Sequence, residues 1–217
     1  MFSTHVSLKT IVLSLILILG AGCDRKTGPA SPLESKKPNE LAPAQSTVFG
    51  TKLSELPDEG LVDQSGEPFS FDDLSGKPTI ISTIYTSCPM PKMCPLLTSN
   101  LGKVQQKLRE ELDAPADAYR FVLVSFDPEN DTPKMMRDYV TERGWSLDNA
   151  VLVTGDPETT DALMTKLGIA TKREKDDTIT HNMRTYLAGS DGTIQYGFRK
   201  SGWNPDDVVA RFRTLVP

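Results

Sequence analysis

The sequence predicts an α/β sandwich in which helices flank a central mixed sheet. Two apolar runs rich in β-branched residues, 79–84 and 121–126, are typical of strands that are buried on both faces of a sheet. Segments with apolar residues at helical spacing follow these runs, which favours parallel strands joined by crossover helices. A Gly-Ser-Asp-Gly turn at 189–192 between two further strand-like runs predicts an antiparallel hairpin near the C-terminus.

The first elements of the predicted domain are a hairpin and a long helix. Residues 61–71 contain a turn signal at Gln64–Gly66 and predict an N-terminal β-hairpin ahead of the central strand 79–85. A helix is predicted to start near Leu96, because apolar residues recur there at helical spacing. The residues of this predicted core stripe are Leu97, Leu101, Val104, Leu108 and Leu112.

Three later helices carry the same start signal, a capping residue followed by proline. Thr132-Pro133, Asp156-Pro157 and Asn204-Pro205 each place an oxygen-bearing side chain at the cap and proline at the first helical position. A short strand is predicted at 151–153. Residues 171–180 are predicted to form a polar loop whose mixed charges are solvated.

Two cysteines, each followed by proline, lie between the first central strand and the first long helix. Cys94 is predicted to cap that helix, with Pro95 at its first position. The thiolate of a cysteine at this place is favoured by the free N–H groups and the dipole of the helix. A pair of thiols in this position, here Cys88 and Cys94, is the thioredoxin-like arrangement. A plain disulfide, or two small buried side chains, is the alternative.

The N-terminal segment is typical of an exported, membrane-attached protein. Lys9 precedes an apolar run, 11–19, that is too short to span a bilayer comfortably. The run ends in Gly20-Ala21-Gly22-Cys23, which is similar to the lipobox of bacterial lipoproteins, although the family usually has Leu where Gly20 stands. In those proteins the cysteine becomes the lipidated N-terminus, so Cys23 is the predicted lipidation site. An uncleaved membrane anchor is the alternative.

These signals divide the chain into three predicted parts. Residues 1–22 are the predicted signal peptide, and 23–48 are the lipidated N-terminus and a flexible tether rich in Pro, Ser, Lys, Glu and Ala. Residues 49–217 are the predicted folded domain. A lipid or an uncleaved anchor alike would place this domain outside the cytoplasm, in the cell envelope and attached to its membrane.

The composition excludes one class of partner. The 217 residues include 24 Lys and Arg against 29 Asp and Glu, for a net charge of −5. The acidic balance and the lack of a basic cluster argue against nucleic acid as a partner.

His181 is the single histidine of the predicted domain, because His5 leaves with the signal peptide. It is predicted at the start of a hairpin strand, where the fold can bring it beside the two thiols. Two thiolates and an imidazole form a soft three-ligand set that favours Cu(I) and tolerates Cu(II). A closed zinc site, which takes four ligands, is disfavoured. A purely structural histidine is the alternative.

Several segments together resemble one family. They are Thr86-Ser87-Cys88-Pro89, Cys94-Pro95, Ser125-Phe126-Asp127-Pro128-Glu129-Asn130-Asp131-Thr132-Pro133, and His181 with Tyr186-Leu187 and Asp191-Gly192 after it. From about residue 55 onward the chain resembles the Sco/SenC family, thioredoxin-fold copper proteins that help to assemble the copper centre of cytochrome oxidase.

The resemblance implies a function and a set of site residues. It implies that Cys88, Cys94 and His181 are copper ligands, that the two cysteines are also a redox-active pair, and that the client is a cytochrome oxidase subunit. A metallochaperone is therefore expected rather than an enzyme, with thiol–disulfide reductase activity as the enzymatic option. The acidic residues of the 125–133 segment are expected to shape the loop near the site.

The chain departs from the family pattern at two places. Five residues separate its cysteines where the family usually has three, and Thr180 stands before the histidine where Asp is usual. Met90 and Met93 lie in the widened loop. Thioethers bind Cu(I), but the preferred interpretation is that both methionines fill gaps or face a partner.

Three other functions remain open at this point. The first is thiol–disulfide exchange without a copper role, although general oxidoreductases of this fold keep two residues between their cysteines. The second is a peroxidase, which needs Thr three residues before its cysteine, whereas Thr86 is two before Cys88. The third is a metal-free interaction module. Neither of the first two needs His181, which is why copper binding is preferred.

Overall fold

A six-stranded mixed sheet forms the centre of the computed structural model, which describes residues 48–112 and 115–216. The strands of the described residues are β1 (Leu61–Val62), β2 (Thr79–Ile84), β3 (Arg120–Ser125), β4 (Ala150–Gly155), β5 (Thr171–Arg173), β6 (Ile179–His181), β7 (Arg184–Ala188) and β8 (Ile194–Arg199). The six strands of the central sheet lie in the order β1-β4-β3-β2-β7-β8, and β5 and β6 form a separate two-stranded ribbon. β2, β3 and β4 run parallel, whereas β1, β7 and β8 are antiparallel to their neighbours.

Four α-helices complete the fold of the described residues, and three of them begin at the predicted caps. They are α1 (Cys94–Glu111), α2 (Pro133–Thr141), α3 (Pro157–Lys166) and α4 (Pro205–Phe212). The side chains of Thr132, Asp156 and Asn204 each accept a hydrogen bond from a backbone N–H in the first turn of α2, α3 and α4. These bonds satisfy N–H groups that have no partner within the helix.

The sheet is covered on both faces, as expected for an α/β sandwich. Every residue of β2 is buried, although successive side chains point to opposite faces. α1 buries the predicted residues Leu97, Leu101, Val104 and Leu108 and packs against α4, while α2 and α3 contact β4. The predicted α/β class, the mixed sheet and the C-terminal hairpin β7–β8 are confirmed.

The N-terminal hairpin is shorter than the sequence suggests. Val62 and Pro68 form an isolated antiparallel bridge around the predicted turn, and Phe69 donates its backbone N–H to the Leu61 carbonyl. The second arm then continues into a short 3-10 helix, Phe71–Leu74, so that only β1 joins the sheet, at the edge of β4. Proline lacks an N–H, which explains why Pro68 does not extend the ladder.

The prediction of a polar loop at 171–180 is wrong. Residues there form the ribbon β5–β6, closed by a hydrogen bond from the Glu174 N–H to the Thr178 carbonyl. Asp177 turns the chain in a left-handed conformation, with φ at 62°, which aspartate tolerates better than most residues. His181 therefore ends β6 instead of starting an arm of the C-terminal hairpin. The largely polar composition concealed these strands, because only Ile179 among them is fully buried.

Candidate metal centre

Three side chains converge at the carboxyl edge of the parallel strands. The Sγ atoms of Cys88 and Cys94 and a ring nitrogen of His181 all lie within 4.8 Å of one another. The Sγ of Cys94 and the Nε2 of His181 are 3.9 Å apart. The structure thus brings together all three side chains that the sequence singled out in the domain, whereas Cys23 lies outside the described residues.

The two thiols occupy unlike positions. Cys88 lies in the loop after β2 and is partly exposed, whereas Cys94 is fully buried as the first residue of α1. The predicted capping role of Cys94 is wrong by one residue, because Met93 holds the cap position and Pro95 is second in the helix. Helix boundaries commonly shift by a residue, and the Cys94 thiol still lies at the N-terminal end of α1.

The widened loop between the cysteines is held by polar contacts. The Ser201 hydroxyl donates to the Lys92 carbonyl across 2.5 Å, and the Met93 N–H donates to the Met90 carbonyl across 2.9 Å. Met93 packs against the core, whereas Met90 is 54% exposed. Met93 therefore fills space against the core, as expected, whereas Met90 faces solvent, and its contact with a partner stays a prediction.

The His181 ring has a fixed orientation. Its Nδ1 lies 3.2 Å from the Asn182 carbonyl, which can only accept, so Nδ1 is the donor of this contact. The ring packs on Phe126 with centroids 4.4 Å apart and meets Tyr85 edge-on at 6.0 Å. Nε2 is consequently the ring nitrogen that faces Cys94, and in a metal-binding imidazole of this orientation it is Nε2 that would bind the ion.

The two thiols share one proton unequally. A hydrogen bond from Cys94, helped by His181 and by backbone groups, lowers the pKa of Cys88 to about 4 against the opposing effect of burial. The same hydrogen bond, together with burial, raises the pKa of the Cys94 thiol. Burial also raises the pKa of Tyr85 to about 12, so its phenol beside the thiols stays neutral. At neutral pH the pair is a thiolate at Cys88 and a thiol at Cys94.

A buried carboxylate ties the Cys88 loop to the end of β3. Asp131 is completely buried and accepts hydrogen bonds from the N–H and hydroxyl of Thr86 and from the hydroxyl of Ser125. Burial raises the pKa of the Asp131 carboxyl, against the effect of these hydrogen bonds. The loops after β2 and β3 are therefore fixed to one another, which confirms that this acid shapes the site.

A second acid holds the ribbon that carries the histidine. Asp127 is 2% exposed, and one of its oxygens accepts a hydrogen bond from Arg173 of β5 across 2.5 Å. The Arg173 guanidinium also lies 3.6 Å from a carboxylate oxygen of Glu129. Arg173 is exposed, as expected for the charges at 171–180, but its guanidinium also pairs with a buried carboxylate, which the sequence did not predict.

The site has donor atoms that suit a soft metal ion, and the pair of Cys94 and His181 has a suitable spacing. Metal bonds of about 2.3 Å to thiolate and about 2.0 Å to imidazole place the donors of one ion roughly 3.5 to 4 Å apart. The separation of 3.9 Å between Cys94 and His181 meets this requirement without movement of the backbone. The family pattern has Asp at the position of Thr180, which is exposed beside His181 in this structure. The substitution of Thr for Asp therefore leaves the three donor residues in place.

Sequence reasoning missed four residues that shape the site. Tyr85 and Phe126 could have been found, because each aromatic residue directly ends an apolar run at the edge where the site was expected. Asn182 and Arg173 gave no such signal, because their roles depend on the ribbon that the sequence did not predict.

Comparisons with known proteins agree with this fold and site. The family model described as SCO1/SenC matches residues 58–217. The SCO1 protein homolog of Bacillus subtilis is 30% identical over 152 residues, which cover 68% of this chain and 75% of that protein.

Two solved structures illustrate the likeness. The copper-bound structure of Bradyrhizobium japonicum ScoI is 27% identical, with a TM-score of 0.60, and the match covers 72% of this chain and 96% of that one. A SCO1/SenC family lipoprotein from Bacillus anthracis shares the fold at 22% identity, with a TM-score of 0.66, over 78% of this chain and 99% of the other. Taken with the match over residues 58–217, these comparisons establish that the chain belongs to the SCO1/SenC family.

Proposed function

We propose that this protein binds copper through Cys88, Cys94 and His181 and delivers it, as cargo, to a copper centre of cytochrome oxidase. The observation that carries the proposal is the meeting of two thiols and one imidazole nitrogen within 4.8 Å. Soft sulfur donors suit Cu(I), and the imidazole extends the set to Cu(II). The copper-bound relative from Bradyrhizobium japonicum supports the same ion here.

The unequal exposure of the two thiols suits a protein that must release its metal. Cys94 is fully buried, whereas Cys88 is partly exposed and lies in the same loop as the exposed Met90. A ligand of the client would approach from the side of Cys88, and copper would change partners there first. Cys94 and His181 would hold the ion until the exchange is complete.

Titration of Cu(I) against a competing chelator tests copper binding. The reduced chain is used in a Cys23→Ala background, so that of its three cysteines only Cys88 and Cys94 remain. We expect one copper per chain, and loss of this tight binding in the further variant Cys88→Ser. Equal copper binding by the two forms would reject the proposed site.

A second function is favoured by the sharing of one proton between the thiols. A Cys88 thiolate with its pKa at about 4 is an attacking group, and the adjacent Cys94 is a resolving thiol. Cys88 would attack a client disulfide, and Cys94 would then displace the client from the mixed disulfide. The client gains two electrons from the cysteine pair, one proton from Cys94 and a second proton from solvent, and Cys88 and Cys94 end as a disulfide. The reduced client cysteines could then accept copper.

The oxidised protein separates the two functions. A Cys88–Cys94 disulfide removes both thiolates, so an oxidised chain should bind no copper in the same titration. Mass spectrometry after alkylation verifies the state of the pair. Full copper loading of the oxidised form would show that the cysteines are not ligands, and would leave thiol exchange as the function.

We also propose that a lipid on Cys23 holds the domain at the membrane of the cell envelope, with the domain outside the cytoplasm. The short apolar run that ends in Gly22-Cys23 supports this assignment. Within residues 48–112 and 115–216, no helix combines the length and apolar character needed to cross a bilayer. The client copper centre would then be reached from the same membrane.

A further inference from the structure

The ribbon β5–β6 depends on side chains to hold it in place. It forms its own two-stranded sheet, outside the hydrogen-bonded order of the central six strands. One contact with the body is weak, since the Ile179 N–H reaches the Tyr85 hydroxyl only at 3.4 Å. His181, at the end of this ribbon and three residues before β7 begins, therefore lies outside the hydrogen-bond ladder of the main sheet.

The register of the ribbon places Arg173 on the same face as the histidine. Arg173 pairs directly with Ile179, and Thr171 pairs with His181. Because side chains alternate along a strand, Ile179 and His181 share one face, and their cross-strand partners share it with them. Lys172 and Thr180 belong to the opposite face, and both are exposed.

Arg173 reaches from this face to a carboxylate that has little access to water. The Asp127 side chain is 3% exposed, and its two oxygens accept hydrogen bonds from the Asn130 amide at 3.0 and 3.1 Å. Arg173 supplies the cation for this carboxylate, with 34% of its own side chain exposed. A buried carboxylate that loses its cation is costly, so the pair resists separation.

The same loop contacts the histidine directly. Phe126, the residue before Asp127, packs its ring against His181. One short segment after β3 therefore holds the ribbon twice, through an ion pair at Arg173 and through a ring contact at His181. Loss of the ion pair would leave the imidazole positioned by its ring contacts with Phe126 and Tyr85, its contact with the Asn182 carbonyl and the weak Ile179 bond.

We propose that Arg173 is a positioning residue for the metal centre. Through its ion pair with Asp127, Arg173 holds His181 over the two thiols. The inference rests on the proposed function, because it assigns Arg173 to the imidazole of that site. The ion pair does not position the two cysteines, because they belong to the loop after β2 and to α1 and not to the ribbon. Arg173 should therefore govern the nitrogen ligand and not the sulfur ligands.

The first test needs no metal. Nuclear magnetic resonance of the reduced chain with labelled histidine follows His181, accompanied only by His5 where the predicted signal peptide is retained. The Phe126 ring should shift the His181 carbon-bound proton away from its value in free histidine. In Arg173→Gln this shift should largely disappear. The control Lys172→Gln, which removes an exposed cation from the opposite face, should keep it.

The second test uses copper and separates the two oxidation states. In a Cys23→Ala background, Arg173→Gln should weaken Cu(II) binding about 10- to 100-fold, as loss of an outer-shell contact typically does. Cu(I) affinity, which the two thiolates carry, should change less than about threefold. Arg173→Lys keeps the charge but loses the planar guanidinium with its fork of N–H donors, so its Cu(II) affinity should lie between those of the unchanged chain and Arg173→Gln. Arg173→Lys also serves as the test variant if Arg173→Gln does not fold.

The outcomes distinguish this inference from the proposed function. A histidine shift and a Cu(II) affinity in Arg173→Gln equal to those of the unchanged chain would overturn the positioning role and leave the copper site intact. A lower melting temperature with an unmoved histidine shift would mean that Arg173 only stabilises the fold. Failure of the unchanged chain to bind copper would refute the proposed function, while the metal-free spectra would still decide the role of Arg173.

Discussion

At the scale of single residues, the two cysteines have different chemistry because they have different surroundings. Cys88 receives a hydrogen bond from Cys94 and is partly exposed, so it is the thiolate and the accessible atom. Cys94 is fully buried and holds the shared proton. The sequence predicted the pair, but it could not rank the two thiols, because the ranking depends on burial in the folded chain.

This ranking predicts selective alkylation of the reduced protein. A lowered pKa means that Cys88 keeps its thiolate as the pH falls, until the pH approaches about 4. Its rate with iodoacetamide should therefore be nearly flat from pH 8 to pH 6, whereas an ordinary thiol with a pKa of about 8.5 slows roughly tenfold per unit below that value. Cys94 should stay unmodified until Cys88 has reacted. Peptide mapping by mass spectrometry measures both rates, and faster labelling of Cys94 would contradict the assignment.

At the scale of elements, the site is built where two loops are tied together. The loop after β2 carries Cys88, and the loop after β3 carries Asp131 and Asp127. Asp131 binds the first loop through Thr86, and Asp127 binds the ribbon through Arg173. Two buried acids thus connect three separate segments of the chain.

Replacement of Asp131 should destabilise the fold strongly. Asp131→Ala leaves the Thr86 N–H and the hydroxyls of Thr86 and Ser125 without their acceptor, at a cost of about 3 kcal/mol in the free energy of unfolding. Urea denaturation followed by circular dichroism measures the change. The matched control is Asp161→Ala, an exposed acid on α3, which should change stability by no more than about 0.5 kcal/mol. Similar losses in the two variants would mean that Asp131 does not tie the loops.

Sequence patterns predicted the elements whose signals are local. The caps at Thr132, Asp156 and Asn204 and the apolar stripe of α1 need only neighbouring residues, and the structure confirms them. The ribbon β5–β6 was missed because its strands are three residues long and mostly polar. The ion pair of Arg173 with Asp127 spans 46 positions, and no local pattern indicates such a contact.

At the scale of the whole molecule, the proposed function requires a folded domain that is tethered to a membrane. The structure describes residues 48–112 and 115–216, which include the sheet, the helices and the three donor residues. The predicted signal peptide at 1–22 and the tether at 23–48 supply the attachment in this proposal. The two parts make separate predictions, because binding of copper does not need the lipid.

Cys23→Ala should therefore change location without changing the metal site. The variant lacks the thiol that would carry the lipid, so we expect it to leave the membrane fraction or to remain unprocessed at higher mass. Cell fractionation and mass spectrometry of the purified chain detect these outcomes. The control Gly22→Ser alters the neighbouring small residue and keeps the thiol, so it should stay with the membrane. Unchanged mass and unchanged membrane extraction of Cys23→Ala would refute the lipid anchor.

X-ray absorption spectroscopy at the copper edge tests the three-ligand copper site without relying on affinity, since it counts the atoms bound to the ion. For the copper-loaded Cys23→Ala chain, we expect two sulfur neighbours, from Cys88 and Cys94, and one nitrogen neighbour from His181. In His181→Ala the nitrogen should disappear while both sulfurs stay. Fewer than two sulfur neighbours of copper in the parent chain would contradict the assigned site. So would a set of copper neighbours that stays the same in His181→Ala.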